Sequence, residues 1–374
     1  MVARGGFWRA QDRDDRDRAL PPPNRWPKVV AVVPARDEAA HVAETVHSLL
    51  QQRYQGSFSV ILVDDQSSDD TVAAARRAAA AAGAADRLTT LVGAPLPAGW
   101  SGKLWAVAQG VRHADTLPEP PEYLLLTDAD VIHAPPALAA LVTRARAGGL
   151  VLTSLMVRLR CESFAERALI PAFVFFFQML YPFRWVNGPE HRTAAAAGGC
   201  MLVRRDGLLA AGGIEAIRGA LIDDCALARR MKDRGPIWLG LTERAFSLRP
   251  YPRPGDIRRM VARTAYVQLR ESPLVLAVTV FGMGLTYLAP PLLACFGGGA
   301  ARILGVAAWA MMALAYQPTL RFYRRSRIWG FLLPGIALAY LLFTLDSAWQ
   351  HWRGRGGMWK GRAQAVRARC GEGL

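Results

Sequence analysis

The sequence predicts an α/β fold with a mixed, mostly parallel sheet, followed by a C-terminal α-helical membrane region. Short β-branched runs alternate with helical patterns between residues 28 and 255, and a polar cluster follows nearly every predicted strand. Three long charge-free runs then lie between residues 273 and 350. Strands separated by helices favour right-handed βαβ crossovers, and the late apolar runs favour a bilayer.

The composition narrows the class of protein. The chain has 374 residues, 46 Lys and Arg against 30 Asp and Glu, a net charge of +16, and 52% hydrophobic residues. This excludes a disordered chain and a small disulfide scaffold. The five cysteines are odd in number and form no CxxC pair, which indicates a reduced compartment and argues against structural zinc.

The apolar residues are concentrated at the end of the chain. No Asp, Glu, Lys, Arg or His occurs within Pro273–Ala301, Ile303–Leu320 or Ile328–Leu345. A bilayer core needs about 20 apolar residues per helix, so we expect about three transmembrane helices within 273–350. We expect no nucleic-acid partner, because aromatic stacking platforms are absent.

The flanking charges bear on topology. Residues 1–27 are charged and Pro-rich without an apolar signal-peptide core, which predicts a disordered tail and a cytoplasmic first domain over 28–255. The loop Arg321–Arg327 and the segments 256–272 and 351–374 are basic, so we expect contacts with anionic lipids. Three crossings would place 351–374 outside, against this charge pattern. The topology stays open between three crossings and a re-entrant or interfacial element.

The predicted elements of the first domain alternate regularly. The predicted strands are Val29–Val33, Ser59–Val63, Leu88–Val92 and Tyr123–Thr127. The predicted helices are a stretch ending near Gln52, Thr71 to about Ala82, and Leu104 to about Arg112. Ligands of such sheets bind at the carboxyl ends of the strands, where the polar clusters fall.

The first two clusters carry carboxylates. Pro34–Glu38 follows the first strand, where Asp37 and Glu38 either accept hydrogen bonds from a base or ribose or favour the next helix N-terminus. Asp64 and Asp65 end the second strand, and two adjacent carboxylates exceed what a helix cap needs.

The third cluster, Gly99–Lys103, is not a phosphate loop. Pro97 and Leu104 stand where GxxxxGK[ST] requires Gly and Ser or Thr. What remains is a flexible turn that presents Lys103 as a point charge for a phosphate.

The fourth and fifth clusters are pairs of acids. Asp128 and Asp130 follow a buried strand on one side, and converging carboxylates favour a bound Mg²⁺ or Mn²⁺. The nearby His133 is either a further ligand or an ordinary surface residue. Asp223 and Asp224 open a helix, where they either stabilise its N-terminus or carry chemistry.

Together, PARDE, DDQSSDDT, GWSGK, DAD, GGC and IDDCALA resemble family 2 glycosyltransferases of the GT-A fold over about residues 29–265. Further segments resemble the hopene-associated, or hopanoid-biosynthesis, subfamily. They are Arg160–Ser163, Ile170–Phe177, Thr193–Cys200, Leu248–Tyr251, Met260–Tyr266, His351–Arg355 and Trp359–Arg362.

The resemblance implies a metal-dependent enzyme that transfers one sugar from a nucleotide-diphosphate sugar, with a UDP-sugar favoured, and inverts configuration. It implies base and ribose contacts from Glu38 and Asp65, beside Pro34 and Asp64, and a donor contact from Lys103. Asp128 would lie near the diphosphate, Asp130 would hold the metal, and Asp224 would be the general base with Asp223 before it. Met260–Thr264 keeps only Arg263 of the QxxRW of processive members, which argues against a polysaccharide synthase.

The acceptor implied by the resemblance is a hydroxylated lipid, with a hopanoid suggested by the subfamily. Alternative acceptors are a polyisoprenyl phosphate or a ceramide- or diacylglycerol-like lipid, and the alternative function is a non-catalytic lipid-binding scaffold. The location implied is a bacterial-type inner membrane, multi-pass. Residues 168–183 are either an interfacial helix, with Phe173, Phe175, Phe176 and Phe177 in lipid, or an ordinary buried helix.

Overall fold

The computed structural model describes residues 4–15, 20–354, 358–359 and 362–363. The chain divides into two compact units. The sheet unit comprises Asp12–Leu159, Phe183–Arg249 and Met358–Leu374. The helical unit comprises Met1–Gln11, Arg160–Pro182 and Pro250–Gly357.

Among the described residues, eight strands of the sheet unit form one sheet in the order β3-β2-β1-β4-β7-β6-β8-β5. Four neighbouring pairs are parallel and three, all involving β5 or β7, are antiparallel. The mixed, mostly parallel sheet is therefore confirmed. The strands are β1 Val29–Ala35, β2 Phe58–Asp64, β3 Leu88–Val92, β4 Tyr123–Thr127, β5 Val131–His133, β6 Leu152–Arg158, β7 Cys200–Arg204 and β8 Ile237–Ser247. A separate antiparallel pair joins β9 Met358–Trp359 and β10 Arg362–Ala363.

The α-helices follow in chain order. They are α1 Val42–Leu50, α2 Thr71–Ala81, α3 Gly102–Asp115, α4 Ala137–Ala147, α5 Phe164–Leu180, α6 Phe183–Asn187, α7 Arg205–Ala210, α8 Asp223–Lys232, α9 Pro254–Ala262, α10 Ala265–Gln268, α11 Pro273–Met283, α12 Ala289–Phe296, α13 Gly299–Phe322 and α14 Leu333–Trp352. A π-helical segment, Gly284–Leu288, joins α11 to α12.

The central strands of the sheet unit lie in its hydrophobic core. β1 and β4 are almost wholly apolar and are buried at every position, as expected of strands covered on both faces. Helix α3 approaches β1 closely because residue 110 is glycine. A Cβ at Gly110 would lie 2.5 Å from Val32 Cγ1.

The N-terminal segment differs from the predicted disordered tail. Arg13 forms a bridge with Leu241 of β8 and is 5% exposed. Asp14 Oδ2 lies 2.9 Å from Arg244 Nη1. The segment is ordered here because its alternating charges meet opposite charges along β8, and a buried charge needs such a partner. Residues 16–19 lie outside the described part of the chain.

The predicted domain 28–255 is interrupted. Residues Arg160–Pro182 belong to the helical unit, where α5 begins with a capping box formed by Ser163 and Glu166. Phe175 and Phe176 are buried and pack against Tyr316 and Tyr340. The expectation that these two phenylalanines dip into lipid is wrong, because helices α13 and α14 offer aromatic partners inside the unit.

Within the described residues, two helices are long and apolar enough to cross a membrane, Pro273–Phe296 and Gly299–Phe322. The third apolar run forms most of α14, which is not among them. After the apolar run ends, helix α14 carries Asp346, whose carboxylate lies 3.4 Å from the Arg258 guanidinium. It also carries Ser347, whose hydroxyl donates to the Ala262 carbonyl. The expected three spans therefore become two candidates. Most of the basic tail 351–374 lies outside the described residues.

Candidate active site

Polar side chains collect at the carboxyl ends of β1, β2 and β4 in the sheet unit. Pro34 lies near the end of β1, Asp64 ends β2 and Asp65 follows it, and Asp128 follows β4. The parallel pairing of these three strands brings those ends to one edge. Pro34 lines the same pocket as Lys103, Asp128 and Asp223.

The loops after β1 and β2 are joined by reciprocal hydrogen bonds. Ser68 N donates to Asp37 Oδ1 at 2.7 Å, and Glu38 N donates to Thr71 Oγ1 at 2.8 Å. Asp37 has a φ of 49°, a left-handed conformation that aspartate tolerates better than most residues. These bonds hold the Glu38 backbone at the strand edge.

The two acids after β2 have partners in the protein. Asp65 is fully buried, and its Oδ2 lies 3.7 Å from Arg36 Nη1. Asp64 Oδ1 accepts a hydrogen bond from Ser67 N at 3.2 Å. The buried carboxylates thus satisfy part of their hydrogen-bonding capacity within the two interlocked loops.

Lys103 lies between two acids from different elements. Ser101 caps α3 by accepting from Leu104 N, which places Lys103 in the first turn. Its Nζ is 2.8 Å from Asp128 Oδ1 and 3.3 Å from Asp223 Oδ2. Burial alone would lower the pKa of Lys103, but the two carboxylates outweigh it and raise that pKa, so the amine stays charged.

Asp224 is held by two backbone amides at the start of α8. Its Oδ2 accepts from Gly198 N at 2.9 Å and its Oδ1 from Cys225 N at 2.7 Å. Burial and then the neighbouring Asp223 raise the pKa of Asp224 to about 6. A Cβ at Gly198 would lie 3.4 Å from both Asp224 Oδ2 and Lys103 Nζ. The run of small residues Ala194–Cys200, the small-residue segment, therefore passes directly beside the acid.

Asp130 is paired with a residue that sequence reasoning missed. Asp128 and Asp130 lie in the turn between β4 and β5, and Arg249 Nε donates to Asp130 Oδ2 at 2.8 Å. Arg249 Nη2 also donates to Glu38 Oε1 at 2.6 Å. The position of Arg249 could have indicated this pairing. Arg249 lies two residues after β8, and β8 pairs with β5, which begins directly after Asp130.

The donor atoms suit a hard divalent cation only in part. In the described ranges, no group of three or more His, Cys, Asp or Glu side chains could hold a metal ion. Asp128 and Asp130 supply carboxylate oxygens, and Mg²⁺ binds in this way when substrate phosphates complete its coordination. The residues therefore fit a cation shared with a diphosphate and do not fit an all-protein cage.

Two further candidates are His133 and Arg263. His133 is buried with its Nε2 2.9 Å from Thr127 Oγ1, and burial lowers its pKa to about 4. His133 is only 4% exposed, so the interpretation of it as a surface residue is wrong, and its role as a metal ligand stays a prediction. Arg263 is exposed at the C-terminal end of α9 in the helical unit, so its donor role stays a prediction.

Comparisons with known proteins agree with this architecture. The sequence model described as Glycosyl transferase family 2 matches residues 30–209. A search of curated proteins finds no match. A mannosyltransferase from Pyrobaculum calidifontis, solved in complex with GDP-Man and Mn²⁺, is 19% identical, with a TM-score of 0.56 over 93% of this chain and 94% of that chain.

A second solved structure is more distant. S. aureus TarS 1-349 in complex with UDP-GlcNAc is 12% identical, with a TM-score of 0.41 over 91% of this chain and 97% of that chain. The structural likeness rests on the mannosyltransferase, since the TarS score is below 0.5, and it concerns the fold alone. Residues 30–209 thus resemble the Glycosyl transferase family 2 model, and the likeness to the mannosyltransferase concerns the fold over most of the chain.

Proposed function

We propose that the chain is a membrane-associated, inverting glycosyltransferase that moves one sugar from a nucleotide-diphosphate sugar to a lipid hydroxyl. One observation carries the proposal. Asp224, with its pKa raised to about 6, lies beside a cluster in which Lys103 joins Asp128 and Asp223 at the carboxyl edge of the sheet. A non-catalytic scaffold has no need of these acids together.

The donor site proposed here uses the interlocked loops. Glu38 and Asp65, beside Pro34 and Asp64, would contact the base and ribose, and the charged Lys103 would contact the diphosphate. The resemblance favours a UDP-sugar. The Pyrobaculum calidifontis structure contains GDP-Man, so both nucleotides belong in the test.

Asp128 and Asp130 would hold Mg²⁺ or Mn²⁺ together with the diphosphate. When bound, the cation would neutralise negative charge on the departing nucleoside diphosphate. The Mn²⁺ in the mannosyltransferase structure supports this choice of ion.

Asp224 is the proposed general base. A carboxyl group with a pKa of about 6 is largely ionised at neutral pH and still basic enough to accept the acceptor hydroxyl proton. The amides of Gly198 and Cys225 orient its oxygens, and Asp223 keeps its basicity high. Direct attack by the hydroxyl oxygen on the anomeric carbon forms no covalent intermediate with the protein, so configuration inverts.

The surface of the helical unit supports a membrane location. Large apolar side chains on the two candidate spans are exposed: Leu274 74%, Val278 63%, Phe281 72%, Phe296 83%, Ile303 70% and Leu304 67%. Such apolar surface is unusual for a protein surrounded by water. We place the sheet unit in the cytoplasm at a bacterial-type inner membrane. Arg258, Arg259, Arg263 and Arg270 of the membrane-proximal segment would lie near anionic headgroups.

Contacts within the helical unit favour two crossings over three. Gln317 Nε2 donates to the Arg327 carbonyl and Trp309 Nε1 to the Phe331 carbonyl, so the chain after α13 runs back along that helix. α14 therefore begins beside the middle of α13. It ends beside the residues that precede α11, since Tyr266 packs against Trp352. A helix that begins at mid-depth does not complete a third crossing.

The proposed acceptor follows from location and from resemblance. A lipid hydroxyl is available at the membrane, and the hopene-associated motifs point to a hopanoid. A polyisoprenyl phosphate and a ceramide- or diacylglycerol-like lipid are the alternative acceptors. Loss of Gln and Trp from QxxRW favours transfer of a single sugar.

The test uses the full-length chain in nanodiscs that contain a hydroxylated hopanoid or one of the alternative lipids. UDP- and GDP-sugars are supplied with Mn²⁺ or with chelator, and lipid products are read by mass spectrometry. We expect a metal-dependent mass increase of one sugar that Asp224→Asn reduces by about 10²-fold or more. Asp206→Asn is the control, since Asp206 is 70% exposed and lies outside the cluster.

The outcomes separate the alternatives. A product on another lipid would correct the acceptor, and a soluble glycosylated product would exclude a lipid acceptor. Nucleotide binding without any product would support the proposed donor site but would exclude the tested lipids as acceptors. Absence of both binding and product would favour the lipid-binding scaffold.

A further inference from the structure

Arg249 connects two of the carboxylates that the proposed donor site uses for different purposes. Its Nε lies 2.8 Å from Asp130 Oδ2, and its Nη2 lies 2.6 Å from Glu38 Oε1. The Glu38 and Asp130 side chains are only 9% and 10% exposed, whereas that of Arg249 is 33% exposed. One guanidinium therefore bridges the proposed nucleotide side and the proposed metal side.

The backbone keeps Arg249 at this position. Leu248 N donates to the Asp130 carbonyl at 2.8 Å, and Ser247 pairs with Val131 in the sheet. Arg249 N also donates to Ser247 Oγ at 3.3 Å. The side chain can turn because it is partly exposed, but its backbone remains beside Asp130.

Charge explains why an arginine lies here. Two nearly buried carboxylates are costly unless a cation compensates them. The guanidinium supplies that charge, and it occupies one oxygen of the Asp130 carboxylate, which would hold the divalent cation. A diphosphate would offer the guanidinium a new anionic partner, and arginine binds phosphate oxygens well.

We propose that Arg249 is an internal counter-ion of the donor site, whose displacement makes divalent-cation binding depend on the nucleotide. Without a nucleotide, Arg249 competes with the cation for Asp130. With a nucleotide bound, Arg249 turns to the diphosphate and leaves Asp130 to the cation. This inference rests on the proposed donor and metal site, and it assigns a positioning role to a residue outside the predicted set.

The first experiment measures Mn²⁺ binding to the full-length chain in detergent, from the electron paramagnetic resonance signal of free Mn²⁺. Titrations are made without nucleotide, with UDP and with GDP. Arg249→Gln removes the charge, so Mn²⁺ alone should bind about tenfold more tightly than to wild type, the factor that corresponds to about 1.4 kcal/mol. The enhancement of Mn²⁺ binding by nucleotide should shrink by a similar factor, because the two effects are linked.

Two variants serve as controls. Arg249→Lys keeps a positive charge beside Asp130, so its affinity for Mn²⁺ alone should remain within about threefold of wild type. Arg204→Gln removes an arginine of the same 33% side-chain exposure from the end of β7 that pairs with the start of β4. It should leave all three titrations unchanged.

A second measurement does not depend on Arg249→Gln folding. The arginine Nε–H signals of the wild-type chain are followed by ¹⁵N NMR, and the Arg249 signal is identified by its loss in Arg249→Lys. It should move when Mg²⁺ and nucleotide are added together and stay in place with Mg²⁺ alone.

The results distinguish two failures. If wild type binds Mn²⁺ with nucleotide but Arg249→Gln binds Mn²⁺ alone no more tightly, or if the NMR signal does not move, the counter-ion role is wrong and the donor site stands. If wild type binds no Mn²⁺ with or without UDP or GDP, the proposed metal site fails and this inference fails with it.

Discussion

At the scale of single residues, burial and neighbouring charge decide what each carboxyl group can do. Asp223 and Asp224 are adjacent in the sequence and begin the same helix. Asp223 lies 3.3 Å from the Lys103 ammonium, whereas Asp224 is bonded to two amides and its pKa is raised to about 6. Adjacent acids with different environments are suited to different roles.

The raised pKa of Asp224 predicts that kcat/KM decreases at acidic pH, which gives the pH profile an acid limb. Below pH 6 the base becomes protonated and cannot accept the hydroxyl proton, so kcat/KM should fall about tenfold per pH unit. Above pH 7 it should be level. Initial rates of lipid product formation between pH 4.5 and 8 check this.

Asp223→Asn removes the charge that contributes to that shift. Because Asp223 raises the pKa of Asp224, the acid limb of the residual activity should move to lower pH. Asp206→Asn should leave it in place. A limb that moves upward, or a rate independent of pH from 5 to 8, would contradict the assignment of Asp224.

At the scale of elements, both ends of helix α8 hydrogen-bond to the chain between Trp185 and Gly198. At its start, Asp224 accepts from Gly198 N. At its end, Lys232 Nζ donates to four backbone carbonyls, those of Trp185, Val186, Gly188 and Thr193. The helix therefore positions the loop that passes beside the proposed base.

Lys232→Met should destabilise this arrangement. It leaves four carbonyls without their donor, and we expect a loss of about 2 kcal/mol in the free energy of unfolding. The measurement is the thermal midpoint from intrinsic tryptophan fluorescence. Arg230→Met, at an exposed position of the same helix, is the matched control. Equal midpoints for the two variants would show that the four contacts contribute little.

At the scale of the whole molecule, the helical unit combines segments far apart in the sequence. Tyr340 Oη donates to the Leu169 carbonyl, and Phe176 packs against Tyr287. Exposed apolar side chains lie on the two candidate spans and also on α14, where Leu342 and Trp349 are among them. Within the described residues, two helices are long and apolar enough to cross a membrane, and α14, which carries Asp346, is not one of them.

The two proposed crossings predict which side of the membrane each labelled position faces. In a background without reactive native cysteines, Ser326→Cys and Gly354→Cys should react with an impermeant maleimide from one face of a sealed vesicle. Gly298→Cys, between the two spans, should react from the opposite face. Labelling of positions 326 and 354 from opposite faces would indicate three crossings.

Much of the site could be predicted because its signals are local. The four predicted strands are present, with β1 and β2 each two residues longer, since continuous β-branched runs bury both faces of a strand. Asp128, Lys103 and Asp223 lie next to predicted strand or helix ends, and parallel pairing brings such ends to one edge. Strands β5 to β8 were not predicted.

The features that could not be predicted depend on contacts between segments that are far apart in the sequence. The pairing of Arg249 with Glu38 and Asp130 spans more than 100 residues, and the packing of Phe175 and Phe176 inside the helical unit requires α13 and α14. Hydrophobic patterning by itself determined the class of fold, the strand edge and the apolar C-terminal region. The pairing of charges and the exposure of apolar faces depend on residues that are distant in the sequence, so no local sequence pattern predicts them.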